Sequence, residues 1–184
     1  MHSNTQQTGH DTATIGGGCF WCLDAVFRKI QGVMTVASGF AGGDAATARY
    51  EIACSGQSDH IEVVHIEFDP AILPYEQLLA VFFAAHDPTQ INRQGHDVGP
   101  QYRSVIFHHG DGQRQTAQNM MNEMTTQALF DDPIATELRP AMPFYPAPDG
   151  HQDFYNLRQD VPYCHIIIQP KLDKIQRLFG ERLI

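Results

Sequence analysis

The stretch TATIGGGCFWC, residues 12–22, decides the fold prediction. Thr12–Ile15 is typical of a short β-strand, and the three glycines that follow mark its end. From Phe20 onward apolar residues recur at helical spacing as far as Ile30, and Gly32 stops the run. The sequence therefore predicts a strand, a glycine turn and a helix, with Cys19 at the start of the helix.

The rest of the chain alternates between segments typical of strands and segments typical of helices. Strands are predicted at 33–40, 61–68 and 103–108, with an edge strand at 134–138. Helices are predicted at 50–53, 74–85, 112–127, 151–158 and 172–179, with a polar loop at 86–101. Several connections are too short for parallel crossovers. We expect a flexible tail at 1–11 and one α+β domain at 12–184, a ferredoxin-like two-layer arrangement with a mixed or antiparallel sheet covered by helices.

Composition and charge exclude several classes of partner. The 184 residues include 12 Lys and Arg against 21 Asp and Glu, a net charge of −9. This balance repels phosphate backbones and anionic lipid, so neither a nucleic acid nor a membrane is expected as a partner. The apolar runs fall short of the ~20 residues of a membrane span, and the polar start lacks the apolar core of a secretory signal. We expect a cytoplasmic enzyme or binding domain.

Cysteine usage points to reduced thiols, a redox site or a metal site. The four cysteines are Cys19, Cys22, Cys54 and Cys164. At a helix start, free backbone N–H groups and the helix dipole should lower the pKa of Cys19 and favour its thiolate. Phe20 and Trp21 add two aromatic faces that suit a pocket for a small apolar group. The plain alternative is a buried cysteine with two core aromatics.

Two other types of site use the same residues. Cys19 and Cys22 are half of a zinc site, but no second ligand pair has zinc-finger spacing, so neither a metal nor another cofactor is expected. A thiol–disulfide oxidoreductase that uses Cys19 and Cys22 remains an alternative, although bulky residues between the two cysteines would hinder access to their disulfide.

Glu62 is the candidate acid. On its strand it shares a face with apolar residues, which should desolvate the carboxyl, raise its pKa and let it donate a proton near neutral pH. The alternative is a carboxylate at the strand edge that faces solvent. Three further candidates lie in or beside loops: Tyr50, Asp97 and Tyr102.

In order along the chain, these motifs resemble the type A peptide methionine sulfoxide reductases, which are specific for the S epimer. The motifs are GCFWC at 18–22, GFAGG at 39–43, YE at 50–51, CSG at 54–56, HIEVV at 60–64, HDPT at 86–89, NRQGHDVGPQYRS at 92–104, FYP at 144–146 and HQ at 151–152. They extend from about Gly16 to Lys171. The sequence departs from the family at 46–49, where Asn-Pro-Thr is common, and at 59–62, where Gly-His-Ala-Glu is common.

The resemblance implies that the chain reduces methionine S-sulfoxide, free or in proteins, to methionine and so repairs oxidative damage. Cys19 would attack the sulfoxide sulfur and become a sulfenic acid. Glu62 would protonate the sulfoxide oxygen, to which Tyr50 and Tyr102 would donate hydrogen bonds. Phe20 and Trp21 would hold the substrate methyl group, and Asp97 would shape and hydrate the pocket.

The resemblance leaves the recycling step open, because the Gly-rich, cysteine-bearing tail of many members is missing. Cys164 is slightly preferred over Cys22 as the resolving thiol, and Cys54 is expected in the core. Thioredoxin would reduce the resulting disulfide; without a resolving cysteine, glutathione or glutaredoxin would take its place. A monomer is expected.

Overall fold

The computed structural model describes residues 9–184. The strands are β1 Asp11–Gly16, β2 Val33–Ala41, β3 Ile61–Phe68, β4 Arg93–Gln94, β5 Asp97–Val98, β6 Val105–His108, β7 Glu137–Pro140 and β8 Tyr145–Pro146. The helices are α1 Phe20–Phe27, α2 Tyr50–Ala53, α3 Tyr75–Ala85, α4 Asp111–Thr126, α5 Phe154–Leu157 and α6 Gln169–Phe179. The predicted tail lies mostly outside the described residues, and Asp11 already pairs with Phe68 in the sheet.

Six strands form the main sheet in the order β7-β6-β1-β3-β2-β8. Strand β6 runs parallel to β7, and the other pairs are antiparallel, so the sheet is mixed. Strands β1, β2, β3 and β6 with helices α1 and α3 form a β-α-β-β-α-β unit with strand order β6-β1-β3-β2. This is the ferredoxin-like arrangement. The predicted α+β fold is confirmed.

Alternation along β3 separates the two faces of the sheet. Val64, Ile66 and Phe68 join the main hydrophobic core, in which α1 and α3 pack. Ile61 and Val63 face the other way, into a smaller cluster covered by residues of the 142–144 segment. Glu62 therefore lies on the helix-covered face, as the alternation predicts, and the strand brings it beneath the start of α1.

Several boundaries differ from the predictions. Helix α1 ends at Phe27 because the chain turns there, and Ile30 pairs with Leu183 in an isolated bridge. The edge strand is shifted to 137–140, where it pairs with β6. The loop at 86–101 contains the hairpin of β4 and β5.

The C-terminal helical segment begins earlier than predicted, with a π-helical turn at Cys164–Ile168 that leads directly into α6. Its buried residues are Cys164, Ile168, Leu172 and Ile175. This spacing is the apolar stripe of one helix, which packs on α1 and α3. The segment is anchored further along, since Lys171 Nζ donates to the Ala85 carbonyl oxygen at 2.9 Å. No helix within residues 9–184 has the length and apolar character to cross a membrane.

Candidate active site

The glycine turn places Cys19 at the first turn of α1. Cys19 is the N-cap residue, and its carbonyl oxygen accepts the first helical hydrogen bond from Cys22 N at 3.1 Å. Gly18 has φ +90, a conformation that side chains oppose, and a Cβ there would lie 2.8 Å from Gln94 Cβ. The turn therefore needs glycine to bring the thiol against the 93–98 hairpin.

Glu62 is held beside Cys19 by a free N–H group at the start of the helix. The residue is 3% exposed, and its Oε2 accepts a hydrogen bond from Phe20 N at 3.0 Å. Burial raises the pKa of the Glu62 carboxyl to about 7, since its cost for the charged form exceeds what the bond from Phe20 recovers. The structure agrees with the predicted desolvated acid.

Tyr50 and Tyr102 lie around the same carboxyl. Cys54 Sγ donates to Glu62 Oε1 at 3.6 Å. Burial raises the pKa of both phenols above its ordinary value, and charge on Glu62 and Cys19 adds to the effect. Both tyrosines therefore remain neutral hydrogen-bond donors. Cys54 is only half-buried, and its thiol belongs to this network as well as to the edge of the core.

The pKa of Cys19 contradicts the sequence-based expectation. Burial raises it well above the ordinary thiol value, and the hydrogen bond with Cys22 and the charge of Glu62 raise it further. Only a backbone hydrogen bond at Trp21 lowers it, so the helix start does not outweigh desolvation. The predicted low pKa is wrong for Cys19.

Cys22 is the more acidic thiol of the pair. The hydrogen bond from Cys19 lowers its pKa against the opposing effect of burial; the charge of Lys171 lowers it further, whereas the charge of Asp97 raises it. The Tyr163 hydroxyl lies 3.6 Å from Cys22 Sγ and donates to Asp97 Oδ2 at 2.6 Å. The sequence analysis missed Tyr163, because the motif PYCH at 162–165 drew attention only to its thiol.

A cavity of about 430 Å³ opens beside both thiols. Its lining comprises Gly17, Cys19, Cys22, Gln94, Gly95, His96, Asp97, Tyr163, Ile166, Ile167 and Lys171. Cys19 and Asp97 thus line the same cavity, and the apolar part of its lining comes from the C-terminal segment. The sequence analysis did not predict this part of the lining, although the apolar run at 166–168 could have indicated it.

Phe20 and Trp21 occupy different surroundings. The Phe20 ring is 1% exposed and packs against Phe40, with ring centroids 5.6 Å apart. Trp21 is half-buried and stacks on Phe154 at 3.7 Å. Its stacked neighbour His151, at 5.7 Å, also stacks on Tyr50 at 4.2 Å, which connects Trp21 to the tyrosine side of the site. That Phe20 and Trp21 hold a methyl group stays a prediction.

Cys164 does not lie in the cavity. It is fully buried, and its Sγ donates to the Arg158 carbonyl oxygen at 3.3 Å. All four cysteines are free thiols. Within residues 9–184, no group of three or more His, Cys, Asp and Glu side chains is arranged to hold a metal ion.

The chain is similar to known proteins in sequence and in fold. A family model described as peptide methionine sulfoxide reductase matches residues 11–183. The peptide methionine sulfoxide reductase MsrA of Chromobacterium violaceum is 48% identical over 173 residues, which cover 94% of this chain and 98% of that protein. Mxr1 of Saccharomyces cerevisiae in reduced form has a TM-score of 0.78 at 28% identity, covering 86% of this chain and 91% of that chain.

Mxr1 in complex with Trx2 shares the fold with a TM-score of 0.55 at 22% identity, covering 81% of this chain and 87% of that chain. The family match extends over nearly all of the described residues, on a fold that solved relatives share. This chain therefore belongs to the type A peptide methionine sulfoxide reductases, which reduce methionine S-sulfoxide to methionine.

Proposed function

We propose that Cys19 is the nucleophile of this reduction and that Glu62 is its proton donor. The observation that carries the proposal is the Glu62 carboxyl, buried and bound to the N–H of Phe20, the residue next to Cys19. A carboxyl with a pKa of about 7 is suited to give and take a proton near neutral pH.

Because the pKa of Cys19 is raised, Glu62 must also accept the proton of the Cys19 thiol. At neutral pH the proton lies mainly on the Cys19 thiol, and Glu62, with a pKa of about 7, is divided between its protonated and its ionised form. As the sulfur attacks the sulfoxide sulfur, Cys19 gives its proton to Glu62, and Glu62 passes it to the sulfoxide oxygen. Oxygen is transferred to Cys19, methionine leaves, and a Cys19 sulfenic acid remains.

The phenols and aromatic rings would place the sulfoxide. Tyr50 and Tyr102, both neutral and near Glu62, would donate hydrogen bonds to the sulfoxide oxygen. Trp21 would contact the substrate methyl group, with Phe20 packed behind the turn, and Asp97 would shape the cavity. Both free and peptide-bound methionine sulfoxide are proposed as substrates.

Cys22 is supported as the resolving thiol more strongly than Cys164, which reverses the slight preference from sequence. Cys22 is hydrogen-bonded to Cys19, lines the same cavity and has a lowered pKa, which favours the attacking thiolate. The Cys164 thiol is fully buried and donates to the Arg158 carbonyl oxygen. Cys22 would attack the sulfenic acid, a Cys19–Cys22 disulfide would form, and water would leave.

We propose thioredoxin as the reductant of this disulfide, because Mxr1, which shares the fold, is solved in complex with Trx2. Glutathione or glutaredoxin is the proposed reductant if Cys22 does not resolve. Four free cysteines fit a reducing compartment, which supports a cytoplasmic location. All proposed site residues come from one chain, which supports an active monomer.

The proposal is tested by single-turnover reduction of each sulfoxide epimer without added reductant. Glu62→Gln removes the transferable proton and should slow methionine formation by about 10²–10⁴-fold. Glu67→Gln, on the exposed side of the same strand, is the matched control and should react as the unmodified protein does. A near-normal rate in Glu62→Gln refutes the role of Glu62.

Thiol counts after the same turnover identify the resolving residue. Cys22→Ser should form one equivalent of methionine and stop at the sulfenic acid, whereas Cys164→Ser should lose two thiols. The alternative of a thiol–disulfide oxidoreductase that uses Cys19 and Cys22 predicts that Cys22→Ser forms no methionine at all. Reduction of neither epimer by the unmodified protein contradicts the proposed function.

A further inference from the structure

We propose that Tyr163 accepts the proton of Cys22 and relays its own proton to Asp97 while Cys22 attacks the Cys19 sulfenic acid. The proposal rests on the proposed function and adds a third residue to its second step. Tyr163 comes from the C-terminal helical segment, which the sequence motifs of the site do not include.

Hydrogen-bond accounting fixes the direction of the relay. A phenol has one proton, and that of Tyr163 is donated to Asp97 Oδ2 at 2.6 Å. The Tyr163 oxygen therefore presents its lone pairs to Cys22 Sγ, 3.6 Å away, and accepts from the thiol. Cys22 thus donates to Tyr163, and Tyr163 donates to Asp97.

The ring of Tyr163 is held in place for this contact. It packs edge-on against Trp21, with centroids 5.7 Å apart and an interplanar angle of 80°. Trp21 is itself stacked on Phe154. The phenol oxygen is therefore fixed between a strand of the hairpin and the first turn of α1, with the thiol on one side and the carboxylate on the other.

The step balances without an added reactant. The Cys22 sulfur forms a bond with the Cys19 sulfur, and the S–O bond of the sulfenic acid breaks. The Cys22 proton moves to the Tyr163 oxygen as the Tyr163 proton moves to Asp97. The departing hydroxide takes up that proton in the cavity that Asp97 and Cys19 both line, and leaves as water.

The charges around Cys22 explain why a relay helps. The groups that interact with it are Cys19, Tyr163, Lys171, Asp97 and Cys164. Lys171 favours the Cys22 thiolate, whereas the negative charge of Asp97 opposes it. Transfer of a proton to Asp97 removes the opposing charge at the moment when the thiolate forms.

The test compares Tyr163→Phe with Tyr155→Phe in single turnover without reductant. Tyr155 is a matched control, because it is half-buried and its hydroxyl donates to Gln169 Oε1, outside the cavity lining. Methionine formation, sulfenic acid trapped by a 1,3-diketone, and disulfide closure are measured in each variant. In Tyr163→Phe, closure should be at least about tenfold slower relative to methionine formation, and trapped sulfenic acid should accumulate.

The pH profile of closure separates a proton relay from mere packing. Without the relay Cys22 must lose its proton to solvent, so closure in Tyr163→Phe should rise more steeply with pH than closure in the unmodified protein. Asp97→Asn, which keeps Tyr163 but removes the final acceptor, should also slow closure relative to methionine formation. It serves as the second variant if Tyr163→Phe fails to fold.

Three results distinguish the possible failures. Equal closure rates and pH profiles in Tyr163→Phe and Tyr155→Phe overturn the relay. Normal disulfide closure in Cys22→Ser also overturns the relay, because another thiol then attacks the Cys19 sulfenic acid. Absence of methionine formation in the unmodified protein instead overturns the proposed function itself.

Discussion

Replacing Glu62 by Gln should stabilise the folded protein at alkaline pH while it removes the proton donor. The carboxyl pKa rises from 4.5 to about 7 on folding, chiefly because of burial. A raised pKa means that the ionised carboxyl is less stable, relative to its protonated form, in the folded protein than in the unfolded chain. The stability contributed by the neutral carboxyl is therefore complete below about pH 4.5 and is lost as the pH rises through about 7.

The size of the effect follows from the same two values. Each unit of pKa difference corresponds to about 1.4 kcal/mol, so ionised Glu62 costs the folded state about 3 kcal/mol. Glutamine keeps the shape and an acceptor for Phe20 N but carries no charge. The advantage of Glu62→Gln should be near zero at about pH 4.5 and approach about 3 kcal/mol at about pH 8.

Urea unfolding of both proteins across this pH range measures the difference directly. Glu67→Gln, at an exposed position, should show no comparable trend. A difference between Glu62→Gln and the unmodified protein that stays flat from about pH 4.5 to about pH 8 would refute the reasoning, because it would mean that Glu62 is not desolvated on folding.

Three further substitutions test the site. Cys19→Ser should abolish turnover while the free energy of unfolding, from urea titration, changes by about 1 kcal/mol or less. Trp21→Ala should lose about 3 kcal/mol of stability, because the stacking of Trp21 on Phe154 is lost. The same substitution should raise the sulfoxide concentration needed for the half-maximal single-turnover rate. An unchanged concentration dependence contradicts the proposed methyl pocket. Gly18→Ala should lose about 1–3 kcal/mol because of its positive φ and its clash with Gln94, whereas Gly112→Ala, in open space on α4, should not destabilise the protein in the same thermal assay.

The architecture was predictable because the strongest local signals agreed with the final packing. Alternation along 61–68 identified both the strand and the buried face of Glu62, and the glycines before Cys19 identified the turn. The shifted edge strand was not predictable, since its bounds depend on pairing with β6 rather than on its own residues.

The electrostatics of the thiols were harder to predict than their positions. The helix start suggested an acidic Cys19, but the cost of burial depends on tertiary packing, which no local pattern reports. The lowered pKa belongs instead to Cys22, chiefly through the hydrogen bond with Cys19 and further through the charge of Lys171, which lies more than a hundred residues away in the chain. Long-range contacts of this kind also explain why the cavity wall was missed.

The two edges of the main sheet are short, and each contains a proline. Strand β7 ends at Pro140, and β8 consists of Tyr145 and Pro146 alone. Oxidised polypeptides often have exposed, extended segments that seek unpaired strand edges, and proline offers no N–H for such pairing. At both edges proline thus interrupts the row of N–H groups on which an extended segment of an oxidised polypeptide could pair.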